Sequence, residues 1–275
     1  MKNNFRLLSA INLIKTRTLL LKEFFLDLIF PKECLGCGQE GIWLCSSCFN
    51  KIKLKTKQEC LGCKKINDFG QICQTCAMSY HLDGVLVAVS YDEKIIVKLI
   101  KSFKYYFIKD LAQDLAKILI SFLDDIISQD RINKVDLTAG LDWHKLQQVK
   151  ILPQVILNLK NSLIIPVPLS KRRLRWRGFN QAEILARAVA ENYNLELNTG
   201  KLIRMKHKKP QTKLDSVARQ KNIQGCFAWQ GENLNKQNII LIDDVVTTGA
   251  TLNECAKVLK ANGAGQVWGL AVAKG

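Results

Sequence analysis

The segment Ile239–Thr251, IILIDDVVTTGAT, says more about the fold than any other stretch of the 275-residue chain. Its first four residues form an apolar run, as expected of a strand buried on both faces of a parallel sheet. Asp243 and Asp244 follow where that strand is expected to end. Adjacent carboxylates at a buried edge repel each other and lose hydration, so they need a compensating partner. The vicinal hydroxyls of a ribose, or Mg²⁺ carried with a pyrophosphate, would supply one. Thr247, Thr248, Gly249, Ala250 and Thr251 then lead into a helix. Three hydroxyls, a glycine that admits close approach and the open N–H groups of a helix start make a cradle for phosphate. A threonine-glycine turn alone is only a capped β–α connection. The full order of apolar strand, paired acids, two spacers and TTGAT is what singles the segment out.

Outward from this segment, strands and helices alternate. Leu86–Tyr91 (LVAVSY), Ser162–Pro168 (SLIIPVP), Asn238–Asp243 (NIILID) and the closing QVWGLAVA read as strands. Glu93–Phe103, Ile108–Ile127, Asn180–Tyr193 and the run ATLNECAKVLKANGA read as helices, with Asn180 placed as an N-cap. This alternation predicts an α/β domain with a parallel sheet and ligands at the carboxyl ends of its strands. Residues 4–29 read as one amphipathic helix stopped by Pro31, better suited to packing on protein than to lying on a membrane. Residues 128–160 are polar and weakly patterned, an irregular insertion.

Forty-one Lys and Arg against 24 acids give a formal charge of +17, and 14 cations against four acids lie in residues 161–225. Such a concentration points to anionic partners, either phosphorylated small molecules or nucleic acid. Two basic segments stand out. Pro166–Gln181 (PVPLSKRRLRWRGFNQ) carries Lys171, Arg172, Arg173, Arg175 and Arg177 with Trp176 and Phe179 among them. Arginine forks chelate phosphate, and an interleaved aromatic can stack on a base. Lys206–Ile223 carries Lys208, Lys209 and Arg219 around Pro210.

Eight of the ten cysteines form four C-x-x-C pairs: Cys34/Cys37, Cys45/Cys48, Cys60/Cys63 and Cys73/Cys76. The N-terminus shows no clean signal-peptide core, and no run approaches the roughly 18 apolar residues of a membrane span. The expectation is a reducing, cytoplasmic setting in which paired thiols hold metal. Two thiolate pairs give the tetrahedral shell Zn²⁺ prefers, so eight ligands make two structural sites. Neighbouring pairs are the simplest assignment, with interleaved pairing open; iron–sulfur ligation and a redox dithiol are rivals. Gly36–Gly41 matches G-x-G-x-x-G but lies between cysteine knuckles, the wrong context for a dinucleotide. Cys226 and Cys255 read as core thiols.

Ile239–Thr251 resembles the motif with which type I phosphoribosyltransferases bind phosphoribosyl pyrophosphate (PRPP). That resemblance implies a twisted parallel sheet with flanking helices. It implies Asp243 and Asp244 on the ribose, and Thr247 to Thr251 around the 5′-phosphate. Lys171, Arg172, Arg173, Arg175 and Arg177 would meet the pyrophosphate, joined by Lys208 and Lys209 from a mobile loop and by Arg219 from the helix after it. Purine-salvage members typically carry an aspartate at the position of Thr247, so the threonine argues against 6-oxopurine salvage. PVPL, RxRGFNQ, Pro210–Asn222 and IDDVVTTGAT occur in the order seen in the ComF family, competence-associated phosphoribosyltransferase-like proteins. VSYDEKIIVKLIKSFKY (Val89–Tyr105) and the paired cysteines are also similar to that family. The resemblance covers roughly Pro31 to the C-terminus and implies a double zinc ribbon over 31–80 and a phosphoribosyltransferase-like domain over 84–275, preceded by the amphipathic helix of residues 1–30. It further implies PRPP with Mg²⁺ as ligand, possible transfer to an unknown acceptor, and a part in DNA uptake. The alternatives are a non-catalytic single-stranded-DNA-binding competence factor and a regulator that senses PRPP.

Overall fold

A computed structural model describes residues 32–67, 69–105, 108–135, 161–205 and 223–275. The expected N-terminal helix, residues 136–160, and Lys208, Lys209 and Arg219 lie outside the described residues. Spatial contacts divide the chain into two compact units, Met1–Lys51 and Ile52–Gly275.

In the first unit, turns around Cys34 and Cys37 lead to a short helix, α1 (Ser46–Phe49), capped by the side chain of Cys45. The second unit opens with a two-stranded antiparallel ribbon, β1 (Gln58–Glu59) and β2 (Ile66–Asn67), and the helix α2 (Gln74–Ala77). It continues through β3 (Gly84–Ser90), α3 (Lys94–Tyr105), α4 (Leu111–Val135), β4 (Ser162–Pro166), α5 (Lys171–Arg177), α6 (Gln181–Tyr193) and β5 (Glu196–Leu197). After β6 (Leu202–Arg204) and β7 (Phe227–Trp229) come β8 (Asn238–Val246), α7 (Ala250–Ala261) and β9 (Val267–Lys274).

Five of these strands form one sheet in the order β3-β9-β8-β4-β5, every pair parallel. This is the α/β architecture expected from the alternating pattern. Side chains alternate across the sheet, so Val85, Val87, Leu163, Ile165, Ile239, Leu241 and Ala271 share one face. They pack there with Leu252, Cys255, Ala256 and Leu259 of α7. On the other side α6 lies against β4 and β8, and α4 lies against α6, β3 and β9. Cys226 and Cys255 are buried core thiols, as expected.

Three boundaries differ from the sequence reading. α4 runs to Val135, eight residues beyond Ile127, because SQDRINKV contains no proline or glycine to stop it. β8 does not end at Asp243 but continues to Val246, held by pairing of Val245 with Ala273 and Val246 with Lys274. The basic stretch after residue 200 begins with β6, which pairs antiparallel with β7; both strands are too short to show a period.

Candidate functional site

The carboxyl ends of β4 and β8 lie side by side in the sheet, and a cavity of about 630 Å³ opens there. Asp243, Asp244 and Val245 of β8 line one wall, with Thr251 of α7 beside them. Val167 to Leu169 follow β4, and α5 adds Arg172, Arg173, Trp176 and Arg177. Lys104 and Tyr105 come from the end of α3, Asn180 and Gln181 from the start of α6, and Arg204 from β6. Parallel topology produces this convergence: each crossover returns the chain to the same end of the sheet.

The acids are stressed, as their adjacency suggests. Asp244 is 5% exposed and forms an ion pair with Lys104, Nζ to Oδ1 at 2.8 Å. Asp243 has no such ion pair among the described residues, and its Oδ1 accepts from the Asp244 amide at 2.8 Å. Burial first, and the negative charge of Asp244 second, push the Asp243 carboxyl up to about 7. Lys104 and the Asp244 amide offset only part of that. A buried carboxyl raised in this way is held in check by its neighbour, a setting that favours hydroxyl donors or a cation beside it.

The opposite wall is cationic and only half satisfied. Ser170 caps α5, its Oγ accepting from the Arg173 amide, and Gly178 ends it in the left-handed region at φ 75°. Arg177, the last residue of the helix, is 9% exposed, and its Nη1 donates to Gln181 Oε1 at 2.9 Å. Its guanidinium lies 5.6 Å from the ring of Tyr105 and 5.9 Å from that of Trp176. Arg177 Nε, Arg204 Nε, Asn180 Oδ1 and Gln181 Nε2 are buried without a hydrogen-bond partner among the described residues. All four belong to residues that line the cavity.

Of the site residues expected from sequence, Asp243, Asp244, Thr251, Arg172, Arg173 and Arg177 meet around the cavity. Lys171 and Arg175 sit on α5 but not on the cavity wall, and Thr247 to Ala250 are also off it. Phe179 is not a stacking surface. It is 8% exposed and packs its ring 5.5 Å from Phe103, whereas Trp176 is 57% exposed. Asn180 stands at the N-cap of α6 as expected, yet its side chain does not cap; Nδ2 donates to Val167 O instead. Lys104, Tyr105, Gln181 and Arg204 escaped the sequence reading. Only the helix end of α3 brings Lys104 and Tyr105 to the cavity, and no local pattern marks that.

The cysteines gather as neighbouring pairs. The sulfurs of Cys34, Cys37, Cys45 and Cys48 lie within 4.8 Å of one another, and so do those of Cys60, Cys63, Cys73 and Cys76. Within each group backbone N–H groups point at sulfur, Cys45 N to Cys34 Sγ and Cys73 N to Cys60 Sγ, both at 3.4 Å. Burial opposes ionisation of Cys34 and Cys60, but such N–H groups outweigh it and bring both down to about 6. Burial and the neighbouring sulfurs push Cys48 up to about 12; for Cys76 the Cys73 side chain leads, again reaching about 12. Four thiols this close cannot all ionise unless a cation compensates them, which is the donor set of a tetrahedral zinc site. Both groups could bind zinc in this way.

Competence protein F of Haemophilus influenzae is 30% identical over 254 residues, covering 88% of this chain and 97% of its own length. The chain belongs to the ComF family. DNA utilization protein YhgH of Escherichia coli K12 is 33% identical over 107 residues, 38% of this chain and 47% of its own. Competence protein ComFC of Bacillus subtilis is 36% identical over 105 residues, 38% of this chain and 40% of its own. No protein-family model matches the chain. Among the described residues, no helix is long and apolar enough to cross a membrane.

Proposed function

We propose that the cavity binds the phosphoribosyl group of PRPP together with Mg²⁺, in a protein that serves DNA uptake in the cytoplasm. The observation that carries this reading is the Asp243–Asp244 pair, two adjacent carboxylates toward the carboxyl end of a central strand, of which Asp244 is paired with Lys104. In this reading the pair accepts hydrogen bonds from the ribose hydroxyls. Thr251 on the cavity wall would take the 5′-phosphate, with Thr247 to Ala250, which lie just off that wall, completing the cradle. Arg172, Arg173 and Arg177 line the same cavity as the acids and would take the pyrophosphate, with Lys171 and Arg175 adding long-range attraction. Asp243 and Asp244 would hold Mg²⁺, which would supply positive charge toward the pyrophosphate.

Catalysis, on this reading, is transfer of the ribosyl phosphate to a nitrogen acceptor with release of pyrophosphate. The chain contributes clamping and charge, not a covalent intermediate. A pyrophosphate-release assay with PRPP, Mg²⁺ and a panel of bases, amines and single-stranded DNA tests it. Release that depends on one acceptor and vanishes in Asp243→Asn/Asp244→Asn supports transfer. Absence of release with every acceptor, alongside intact PRPP binding, leaves a PRPP-sensing regulator.

The names of the relatives, competence protein and DNA utilization protein, favour a second reading in which the same protein handles single-stranded DNA. Exposed Arg172, Arg173 and Arg175 around Trp176 supply charge and an aromatic surface for it. Binding that weakens steeply with salt supports this reading, and salt-independent or absent binding contradicts it.

A further inference from the structure

The second cysteine group and the cavity share one turn of helix. Leu61 stands between Cys60 and Cys63, in the knuckle that carries two of the four sulfurs. Two backbone hydrogen bonds close that knuckle, Lys64 N to Cys60 O and Cys60 N to Lys65 O, both at 2.9 Å. Beside Leu61, Gly62 lies so near the facing knuckle that an added Cβ would come 2.7 Å from Cys76 Sγ. The position of Leu61 is thereby tied to how closely the sulfurs gather. On its other side, Leu61 Cγ, Cδ1 and Cδ2 fill the space where a Cβ of Gly249 would stand. Gly249 is the N-cap of α7, and that cap makes no side-chain hydrogen bond. The chain leaving the cysteine group returns to the same turn, where the amides of His81 and Leu82 donate to Asn253 Oδ1. Gly249 and Asn253 are four residues apart and share a face of the helix. Thr251, two residues from each, lies on the opposite face and lines the cavity.

We infer that the second cysteine group is a metal-dependent brace for the start of α7, so that zinc held there and an anion held in the cavity each strengthen the binding of the other. Four sulfurs stay ionised and close together only around a cation, and the knuckle they draw in carries Leu61. Loss of the metal loosens that knuckle, frees Leu61 from Gly249 and leaves a helix cap without a side-chain hydrogen bond to keep its form. An anion that orders the same turn from the cavity side steadies the seat of Leu61, and linkage makes the two effects equal in size. The first cysteine group supplies no residue to the apolar cluster around Leu61, so its metal stands outside the coupling. As a statement about PRPP the coupling rests on the phosphoribosyl reading of α7; as a statement about the turn itself it does not.

The test compares two full-length, zinc-loaded variants, Cys34→Ser/Cys37→Ser, which keeps the second site, and Cys60→Ser/Cys63→Ser, which keeps the first. Zinc release from each to excess pyridylazoresorcinol is timed with and without saturating PRPP and Mg²⁺. PRPP is expected to slow release from the second site at least about fivefold and to leave release from the first unchanged. Leu61→Ala added to the second-site protein, which keeps every remaining cysteine, is expected to abolish the slowing. Hydrogen exchange over Thr247–Cys255 reads the brace without ligand. Leu61→Ala in the wild-type chain is expected to speed exchange there at least about fivefold more than Leu115→Ala, a buried change on α4 that controls for lost stability. PRPP that binds yet does not slow release from the second site, or slows both sites equally, overturns the coupling and leaves the phosphoribosyl reading standing. Failure of wild type to bind PRPP overturns that reading, and exchange then decides the brace alone. Exchange over Thr247–Cys255 no faster in Leu61→Ala than in Leu115→Ala overturns the brace whatever PRPP does.

Discussion

The side chain of Leu61 lies against Gly249 so closely that a Cβ built on the glycine would sit 2.1 Å from Leu61 Cδ2. Leu61 follows Cys60 in the second cysteine group, and Gly249 caps α7 in the left-handed region at φ 71°. The close approach that this glycine permits is therefore made by a leucine of the cysteine module. Leu61 is 6% exposed and belongs to the same apolar cluster as Leu252 and Cys255 of α7. A second tie runs beside it: the amides of His81 and Leu82 donate to Asn253 Oδ1 at 2.7 and 3.3 Å. The module thus braces the start of α7, where the phosphate cradle is proposed.

Gly249→Ala is accordingly expected to destabilise the protein by about 2–4 kcal/mol, combining left-handed backbone cost with steric overlap. Leu61→Ala alone removes buried apolar surface and costs about 2–4 kcal/mol. Combined, the two changes should cost at least about 1 kcal/mol less than their sum, because the smaller residue relieves the overlap. Urea denaturation of the four proteins measures this, and simple additivity contradicts the contact.

Gln58 stitches the same module to the edge of the sheet. Its Nε2 donates to Val87 O at 3.1 Å and its Oε1 accepts from Val87 N at 3.0 Å, so one side chain does the work of a neighbouring strand for β3. Gln58→Ala strips both partners from a buried peptide and should cost about 2–4 kcal/mol. Gln58→Glu should cost nearly as much, since a carboxylate cannot donate to Val87 O. Equal stability of either variant and wild type in thermal melts would show that the pairing is dispensable.

The two cysteine groups should respond differently to loss of metal. The second lies in the compact unit that contains the sheet and supplies Leu61 to its core, whereas the first belongs to Met1–Lys51. Cys60→Ser/Cys63→Ser is expected to remove one of two zinc ions per chain and to lower the Tm of the sheet-containing unit markedly. Cys34→Ser/Cys37→Ser should also remove one ion and leave that transition near its wild-type position. Elemental analysis with calorimetric melting distinguishes them. Equal shifts for both pairs contradict the asymmetry.

Asp243 sets a pH dependence whose sign follows from its raised carboxyl. A carboxyl near 4 when unfolded and near 7 when folded favours folding below about pH 4, and this contribution declines as pH rises to about 7. Asp243→Asn removes the titration. The ligand-free variant should therefore melt progressively higher than wild type between pH 5 and pH 8, by a few degrees at pH 8, while losing ligand. Ligand binding by wild type should in turn tighten through pH 7, as ionised Asp243 becomes available. A variant that melts lower than wild type at pH 8 contradicts the electrostatic account.

Much of this architecture is legible in the chain. Strands such as Ile239–Ile242 are apolar on both faces, and helices such as Gln181–Tyr193 have clear apolar periods, so element type and parallel topology follow from local pattern. C-x-x-C spacing is equally local, and the neighbouring cysteine pairs do converge. What pattern does not reveal is which partner lies across space. Leu61 on Gly249 and Lys104 on Asp244 join elements whose proximity only the folded topology creates. Phe179 and Trp176, three residues apart in one basic segment, look equivalent as letters. Gly178 ends α5 between them, and one ring turns into the core while the other stays exposed.

The most direct measurement is isothermal titration of PRPP with Mg²⁺ into the zinc-loaded protein at pH 8, on wild type and on Asp243→Asn/Asp244→Asn. The account predicts saturable binding at one site per chain for wild type and loss of that binding in a variant that remains folded. No binding by wild type, or the same affinity in both proteins, contradicts it.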